Sequence, residues 1–413
     1  MGTVKAVPFF ERTGNMKRSN GEGTVYFNEK TQRYEGQFSY FDKDTQTKKR
    51  KFFSSKKSAK EVLRKAREFK SLQKKGVNPI KSDIQLGIWL DDWLKNYKQN
   101  TVRLKTYERY QTSIKMHLKP YIGKYKLKAL STDIIQRHWT FLLEKGGVEQ
   151  SGLAARTVNA TRRLLIQALN DAVDLGYIEK NSALKTKPIK TSRSEIRILT
   201  RDEALRLMTV AKEYDMVAWI VVVIALGTGM RLSEIFGLSW SCIDFRSAKL
   251  YVEQSAVKTN HGTVIQNEVK TKNSRREVPL PKFVVQALIE YKRWQDFYKI
   301  KNTGLFVDRG YVIANQYGNV RHPASFSYHV FKKALLPRAG ISEKVRFHDL
   351  RHTHATWLLA SGVNVKVVSE RLGHSTIRIT LDTYAHVIRT MQTVAVEKLD
   401  NIYLGEDPMK QIE

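Results

Sequence analysis

An unbroken apolar run at residues 216–226, M-V-A-W-I-V-V-V-I-A-L, restricts the possible folds of this chain more than any other segment. It is shorter than the roughly 20 residues that a membrane-spanning helix needs. It also lacks the polar positions that a helix on a protein surface carries. The run therefore predicts a helix buried in a protein core, and Thr200 with Glu203 predicts a capping box at the start of the helix before it.

A chain of 413 residues is long enough for two or three domains, each with its own core. Residues 21–75 contain three alternating aromatic runs, separated by the turn signals N-E-K-T and D-K-D-T. They predict a three-stranded antiparallel sheet followed by a helix that is capped near Ser55 or Ser58. The predicted packing face of that helix consists of Val62, Leu63, Ala66 and Phe69. We expect a small α+β domain here, preceded by a flexible arm at residues 1–20.

Residues 82–180 carry apolar positions at helical spacing and predict an all-α bundle of four or five helices. Polar segments flank this bundle on both sides. Residues 70–81 contain glycine and proline, and residues 181–199 are basic and interrupted by Pro188. We expect both segments to be linkers.

Residues 200–400 predict a mainly α domain with a small antiparallel sheet. Its strands lie between Leu250 and Leu280 and include a hairpin with its turn near residues 272–274. Beyond it, residues 401–413 form a C-terminal tail. Leading into the tail, one helix face stays apolar through Val387, Met391, Val394, Val396, Leu399 and Ile402. That face could pack on its own domain or dock on a neighbouring protein chain.

Basic residues outnumber acidic ones, with 72 Lys and Arg against 40 Asp and Glu and a net charge of +32. The net charge is +12 over residues 1–80, +11 over residues 81–200 and +9 over residues 201–413. Because every segment shares the charge, we expect each to contact a polyanion such as nucleic acid. The single cysteine, Cys242, excludes an internal disulfide and is expected to be a small core residue. We expect a soluble protein of the bacterial cytoplasm, associated with the nucleoid.

A stretch rich in histidine and arginine near the C-terminus gathers groups that bind anions. His348 and Arg351 stand three residues apart and would share one helix face, where they can grip one anion. Gly373 ends the next apolar run, so His374 is predicted at a turn just past a helix C-terminus. Tyr384 follows in another short helical segment and can fold back beside the arginine.

A second arginine, Arg231, follows a glycine-rich bend at which the backbone can approach a phosphate closely. A salt bridge to Glu234 is its alternative role, and Glu234 could also orient the guanidinium group. With the imidazoles and the phenol downstream, this arginine indicates phosphoryl transfer to a phenol oxygen, with cations holding a phosphodiester.

Six residues complete a pattern in chain order: Arg231, Lys270, His348, Arg351, His374 and Tyr384. Over roughly residues 84–400 the chain resembles the tyrosine recombinases, the integrases of bacteriophages and integrative elements, whose signature reads Arg…Lys…His-x-x-Arg…His…Tyr. The resemblance implies a site-specific recombinase that cuts and rejoins duplex DNA through a 3′-phosphotyrosyl intermediate.

The resemblance also implies a role for each residue. Tyr384 attacks, the two arginines hold the scissile phosphate, His374 donates to it, and His348 acts as an acid or base near the nucleophile. Lys270, matched on its K-T dipeptide, protonates the leaving 5′ oxygen, and Lys272 is the alternative because the hairpin register is open. Neither a metal ion nor a cofactor is required.

Two further regions resemble DNA-binding modules of such integrases. Residues 21–75 are similar to an arm-type domain that lays its sheet in the major groove; the alternative is a basic accessory domain that reads no sequence. Residues 82–180 resemble the core-binding domain. Candidates for facing DNA in this bundle are Thr106, Arg109, Lys115, Arg156, Thr157, Asn159, Arg162 and Arg163, and Lys272 is a further candidate.

The expected partners are double-stranded DNA at core and arm sites, three further copies of the chain in a homotetramer linked by the C-terminal tail, and DNA-bending accessory proteins. Other classes of protein remain open. His348 and His352 have metal-ligand spacing, which a metal-dependent nuclease would use, although carboxylates are scarce around them. A DNA-binding regulator would leave the six-residue set unexplained, and a type IB topoisomerase would share the covalent chemistry.

Overall fold

The computed structural model describes residues 24–42, 46–78, 80–191, 196–259, 262–266 and 275–404. Of residues 24, 42, 148, 386–395, 397, 398, 401 and 404 it describes only the backbone. The predicted flexible arm, Lys270, Lys272 and residues 405–413 of the predicted tail lie outside the described residues. The described residues form two compact units, an N-terminal unit up to residue 191 and a C-terminal unit from residue 196.

The N-terminal unit begins with the predicted sheet and helix. Its strands, in antiparallel order, are β1 (Thr24–Asn28), β2 (Arg33–Asp42) and β3 (Thr47–Ser55), and the helix is α1 (Ala59–Lys74). Ser58 caps the helix by accepting a hydrogen bond of 3.3 Å from the backbone N–H of Glu61. Val62 and Ala66 pack against Phe38 on the inner face of the sheet, and all three side chains are buried. The small α+β domain is thereby confirmed, with Ser58 rather than Ser55 as the cap.

Five α-helices follow within the described residues and confirm the predicted bundle. They are α2 (Leu86–Trp93) with a π-helical continuation (Leu94–Lys98), α3 (Leu104–Ser113) with another (Ile114–Leu118), α4 (Lys119–Ile122), α5 (Thr132–Lys145) and α6 (Ala155–Asp174). Trp89 and Trp93 are fully buried, and their indole N–H groups donate to the Ala168 carbonyl at 3.1 Å and to Asp171 at 2.6 Å. These bonds fasten α2 to α6 while the rings fill the core.

Parts of both predicted linkers pack against this bundle. α1 runs through Lys74, and the backbone N–H of Asn78 donates to the Gly176 carbonyl at 2.7 Å. In the segment that follows α6, Ile189 is held by Asn159 of that helix. The Asn159 side chain donates to the Ile189 carbonyl at 2.7 Å and accepts from the Ile189 N–H at 2.9 Å. The segment after residue 180 is therefore ordered on the bundle, because its backbone polar groups find partners there.

The C-terminal unit is mainly helical. Its helices are α7 (Arg201–Tyr214), α8 (Met216–Thr228), α9 (Leu232–Phe236), α10 (Lys282–Lys301), α11 (Pro323–Ser325), which continues through a π-helical stretch (Phe326–Leu335) into α12 (Leu336–Arg338), α13 (Phe347–Ala360), α14 (Val365–Leu372) and α15 (Ile377–Leu404). α8 is buried on all sides, as its apolar run predicts. The capping box of Thr200 and Glu203 is present at the start of α7, and Cys242 lies in the core.

The strands of this unit differ from the predicted hairpin. β4 (Ile243–Asp244), β5 (Lys249–Val252) and β8 (Arg276–Pro279) form one antiparallel sheet in the order β4-β5-β8. β6 (Ser255–Thr259) and β7 (Gly262–Gln266) pair separately. β7 therefore pairs with β6 and not with β8, and the expected turn at residues 272–274 lies outside the described residues. β8 pairs with β5, a long-range contact that strand texture alone cannot indicate.

No helix in the described part of the chain combines the length and the apolar character that crossing a membrane requires.

Candidate active site

Arg351 lies at the centre of the C-terminal unit, on α13, and only 2% of it is exposed. Its guanidinium group donates to the Gly229 carbonyl at 2.8 Å and to the Leu372 carbonyl at 2.7 Å. Gly229 ends α8 with φ of +67°, and a Cβ there would lie 2.7 Å from the His354 ring, so the bend needs glycine. Arg351 thus joins the ends of α8 and α14.

A second cluster of charges lies beside it. Arg231, the residue before α9, donates to the carboxylate of Glu234 at 2.6 Å and to the Gly373 carbonyl at 3.3 Å. Arg276 on β8 donates to the same carboxylate at 2.8 Å and to the Arg371 carbonyl at 2.7 Å. Both roles expected for Glu234, the salt bridge and the orientation of Arg231, are thus met by one contact.

We call the guanidinium groups of Arg231, Arg276 and Arg351, together with Glu234, the cationic site. Burial of the Glu234 carboxylate alone would raise its pKa, but Arg276, Arg231 and Arg351 outweigh that effect and hold the pKa at about 2. Burial and the charge of Arg231 lower the pKa of Arg351 to about 9, which leaves it cationic at neutral pH. Three positive charges around one negative charge make a site for an anion.

His374 lies directly after the glycine that ends α14, at the turn that its sequence context predicts. Gly373 has φ of +68°, and a Cβ at this position would lie 2.9 Å from the Arg276 guanidinium group. The Nδ1 atom of His374 shares a hydrogen bond of 2.8 Å with the hydroxyl group of buried Thr380. Burial, followed by the charges of Arg351 and Arg231, lowers the pKa of His374 to about 3, so its imidazole is neutral and keeps one N–H to donate.

Tyr384 lies in α15 and is 1% exposed. The helix bends at this residue, whose φ of −110° and ψ of 21° are not helical. The expected short helical segment is therefore the first part of a longer, bent helix. Its hydroxyl oxygen is 2.8 Å from Nδ1 of His352. Burial raises the pKa of Tyr384 to about 12, against the opposing charge of Arg351.

The structure brings five of the six predicted residues into the C-terminal unit around the ends of α8, α13 and α14, whereas Lys270 and its alternative Lys272 lie outside the described residues. His348 is one helical turn before His352, and the two rings meet edge to face with centroids 4.9 Å apart. The His348 side chain is exposed to solvent. Desolvation by the surrounding protein, followed by the charges of neighbouring residues, lowers the pKa of His348. The imidazole at the phenol is therefore that of His352, not that of His348.

The candidates for facing DNA in the bundle fall into two groups. Exposed side chains are those of Arg109, Lys115, Arg156, Thr157 and Arg163, and that of Thr106 is half-buried. Arg162 donates to the carbonyl and hydroxyl of Thr186, and Asn159 is engaged with Ile189, so both fasten the segment that follows α6.

Sequence reasoning missed three residues of the site. His352 has a visible signal, since it stands four residues after His348, but that spacing supported the metal-site alternative instead. Arg276 has no local signal, because it meets Glu234 from 42 positions along the chain. Arg371 donates to the His354 ring at 3.0 Å and to the Gly227 carbonyl at 3.0 Å, beneath the bend at Gly229. Within the described residues, no three His, Cys, Asp or Glu side chains form a group that could hold a metal ion.

Comparisons with known proteins give a family. Residues 197–390 match the phage integrase family, and residues 86–143 match the N-terminal SAM-like domain of phage integrases. The tyrosine recombinase XerC-like protein of Caldanaerobacter subterraneus subsp. tengcongensis is 32% identical over 370 residues, which cover 84% of this chain and 91% of that protein.

Two solved structures share the fold. The Tn1549 transposon integrase in complex with transposon right end DNA has a TM-score of 0.62 at 20% identity, over 76% of this chain and 100% of that chain. A lambda integrase tetramer bound to a Holliday junction has a TM-score of 0.53 at 20% identity, over 87% of this chain and 94% of that chain.

The chain belongs to the tyrosine recombinase family, among the phage integrases. It is a DNA breaking-and-rejoining enzyme and a site-specific recombinase. The sequence pattern thus identified the family and the fold class correctly. The nuclease, regulator and topoisomerase alternatives are not favoured.

The cationic site predicts a specific pH dependence of stability. The pKa of Glu234 in the folded protein, about 2, lies below its ordinary value of 4.5, so the ionised carboxylate stabilises the fold above pH 4.5. That stabilisation is lost as the pH falls from 4.5 towards 2. Glu234→Gln should therefore lower the free energy of unfolding by about 3–5 kcal/mol at pH 7, and the difference should shrink through this window in calorimetric melts.

The matched control is Glu290→Gln, which removes an exposed carboxylate paired with Lys212. It should change the free energy of unfolding by less than about 1 kcal/mol at any pH. A Glu234→Gln effect that stays constant between pH 7 and pH 3 would refute the ion-pair account.

Proposed function

We propose that this recombinase integrates or excises a mobile element or prophage, or does both, by cutting and rejoining duplex DNA through a 3′-phosphotyrosyl intermediate. One observation carries the proposal. Arg351 and Arg231 donate to the carbonyls of consecutive residues, Leu372 and Gly373, so their guanidinium groups meet at one turn. A phosphodiester bound there would bring its charge to a surplus of cations, next to the helix that carries Tyr384.

We assign the roles of the described residues from that placement, and the role of the lysine from the resemblance to the tyrosine recombinases. The Tyr384 oxygen attacks phosphorus, Arg231 and Arg351 hold the non-bridging oxygens as negative charge grows on them, and His374 donates its remaining N–H to the phosphate. The bond from phosphorus to the 5′ oxygen breaks, and Lys270 or Lys272 protonates the leaving oxygen. Rejoining reverses these steps with the 5′ hydroxyl of a new partner strand. His348 keeps its predicted role as an acid or base at the edge of the site.

Oligomerisation is proposed from the tail and from relatives. Lambda integrase has been solved as a tetramer on a Holliday junction, and we propose a homotetramer on synapsed DNA here, aided by DNA-bending proteins. The last helix, α15, exposes Val396, Leu399 and Ile402 to solvent. An apolar groove in the C-terminal unit is lined by exposed Phe283 and Trp357. If the C-terminal part of α15 from one protomer docked in this groove on the next protomer, both apolar surfaces would be covered.

The N-terminal sheet is proposed as the reader of distal arm sequences. On β3, Arg50 and Phe52 are exposed on the face away from α1, and Tyr26 is exposed on β1. A sheet face that combines a cation with aromatic rings, within a segment of net charge +12, can enter a major groove and contact both phosphates and base edges.

The covalent step is tested on nicked suicide substrates. Cleavage of these substrates releases a short 5′ fragment that diffuses away, so rejoining is prevented and the covalent adduct accumulates. Tyr384→Phe should keep duplex binding and lose all covalent protein–DNA adducts, because the nucleophilic oxygen is gone. Wild-type cleavage should persist in excess EDTA, since the proposed site uses protonated side chains instead of a metal. Adducts that survive Tyr384→Phe, or cleavage restored only by a divalent metal, would contradict the proposal.

The arm-reading role is tested with two variants that remove the same charge. Arg50→Ala, on the exposed sheet face, should weaken binding to arm duplex by about tenfold and impair recombination of full attachment sites. Cleavage of a short core-site duplex should stay unchanged. Arg64→Ala removes an exposed arginine from α1 that pairs with Glu68, and it should have a much smaller effect. An equal loss of arm-duplex binding in both variants would show that the exposed sheet face does not recognise arm sequences.

A further inference from the structure

His352 is in direct contact with the nucleophile of the proposed reaction. Its Nδ1 atom lies 2.8 Å from the hydroxyl oxygen of Tyr384, a normal length for a hydrogen bond to a phenol. The two rings are close as well, with centroids 5.7 Å apart at 62°. His352 follows Arg351 directly on α13, so one turn of this helix presents a cation to the phosphate site and an imidazole to the attacking oxygen.

The position of Tyr384 makes this contact selective. Tyr384 is 1% exposed and packs with Ala355 and Leu359, two other residues of α13. A phenol buried at this level needs a partner for its hydroxyl group, and His352 supplies one. His348 is linked to the phenol indirectly, because its ring contacts the His352 ring edge to face.

The surroundings of His352 keep its imidazole neutral at physiological pH. The charged and titratable groups around it are Asp349, Arg346, Arg351, His348, His374 and Tyr384. Burial lowers the pKa of His352, and the two arginines add to that effect against the opposing charge of Asp349. Asp349 is itself paired with Arg346 at 2.7 Å. A neutral imidazole that bears its proton on Nε2 offers the lone pair of Nδ1 to the phenol.

We propose that His352 is the general base that activates Tyr384, an inference that rests on the proposed function. As the Tyr384 oxygen forms its bond to phosphorus, its proton passes to Nδ1 of His352, and the 5′ oxygen leaves with a proton from the lysine. On rejoining, the 5′ hydroxyl attacks the phosphorus and returns its proton to the lysine. The bond from phosphorus to the Tyr384 oxygen breaks, and His352 returns its proton to the departing phenolate. Each full cycle therefore leaves His352 in its original protonation state.

The decisive variant is His352→Asn. Its side-chain oxygen can accept the phenol hydrogen bond from nearly the position of Nδ1, but it cannot take up the proton. Adduct formation on a nicked suicide substrate should fall by about 10²–10⁴-fold, the range for general acid–base catalysis, with duplex affinity unchanged. The matched control is His329→Asn, which alters an exposed histidine in the π-helical stretch before α12 and should keep the wild-type rate.

Chemical rescue separates proton transfer from positioning. His352→Ala leaves space for a small base, so added imidazole should raise its rate of adduct formation several-fold while Tyr384→Phe stays inactive. Two results would overturn the inference: a His352→Asn rate within about threefold of wild type, or a loss in His352→Ala that imidazole does not restore. If Tyr384→Phe still forms adducts, the proposed function itself fails.

A measurement on the unaltered chain makes the inference independent of how the variants fold. In protein labelled with ¹⁵N-histidine, the Nδ1 of His352 should show the chemical shift of an unprotonated nitrogen that accepts a hydrogen bond. A protonated Nδ1 in the intact protein would overturn the inference, because that atom could not then accept the phenol proton.

Discussion

The hydrogen bonds from the buried Arg351 guanidinium group to the carbonyls of Gly229 and Leu372 are the contacts on which the candidate active site depends. Burying a cation is costly unless it is well hydrogen-bonded. Here the cation faces the C-terminal ends of two helices, where unpaired carbonyls concentrate partial negative charge. The bonds therefore satisfy the arginine and hold α8, α13 and α14 together at one point.

The remaining parts of the site are positioned by this junction. Gly229 must be glycine to pass beneath His354, and Gly373 must be glycine to pass beside Arg276. The same turn that places Gly373 next to Arg231 places His374 after it. Three guanidinium groups around Glu234 leave a surplus of positive charge, which the phosphodiester of the proposed function would balance.

Much of the fold could be predicted because its signals are local. The apolar run in α8, the capping box before α7 and the alternating aromatic runs of the N-terminal sheet each report on residues close in sequence. The pairing of β8 with β5 could not be predicted, because the sequence of a strand does not indicate which distant strand it pairs with. The packing of the second predicted linker on α6 could not be predicted, because it depends on groups such as Arg162, whose bond to Thr186 has no local signal in the sequence.

The site shows the same division. Spacing was enough to place Arg351 and the turn of His374, because a helix face and a glycine stop are local properties. It predicted His348 near the nucleophile and did not indicate His352, whose Nδ1 lies 2.8 Å from the Tyr384 oxygen. The two histidines lie on the same helix face, and the packing of α15 decides which ring the phenol contacts. Arg276 became visible only through its bond to Glu234, far away in the sequence.

The central claim is that this cationic site delivers a phosphodiester to the Tyr384 oxygen. The most direct measurement is tandem mass spectrometry of the DNA-linked peptide, after trapping on a nicked duplex and digestion with protease and nuclease. The account predicts a single modified peptide, with the nucleotide joined through its 3′ phosphate to Tyr384. A nucleotide on any other residue, or one joined through a 5′ phosphate, would contradict it.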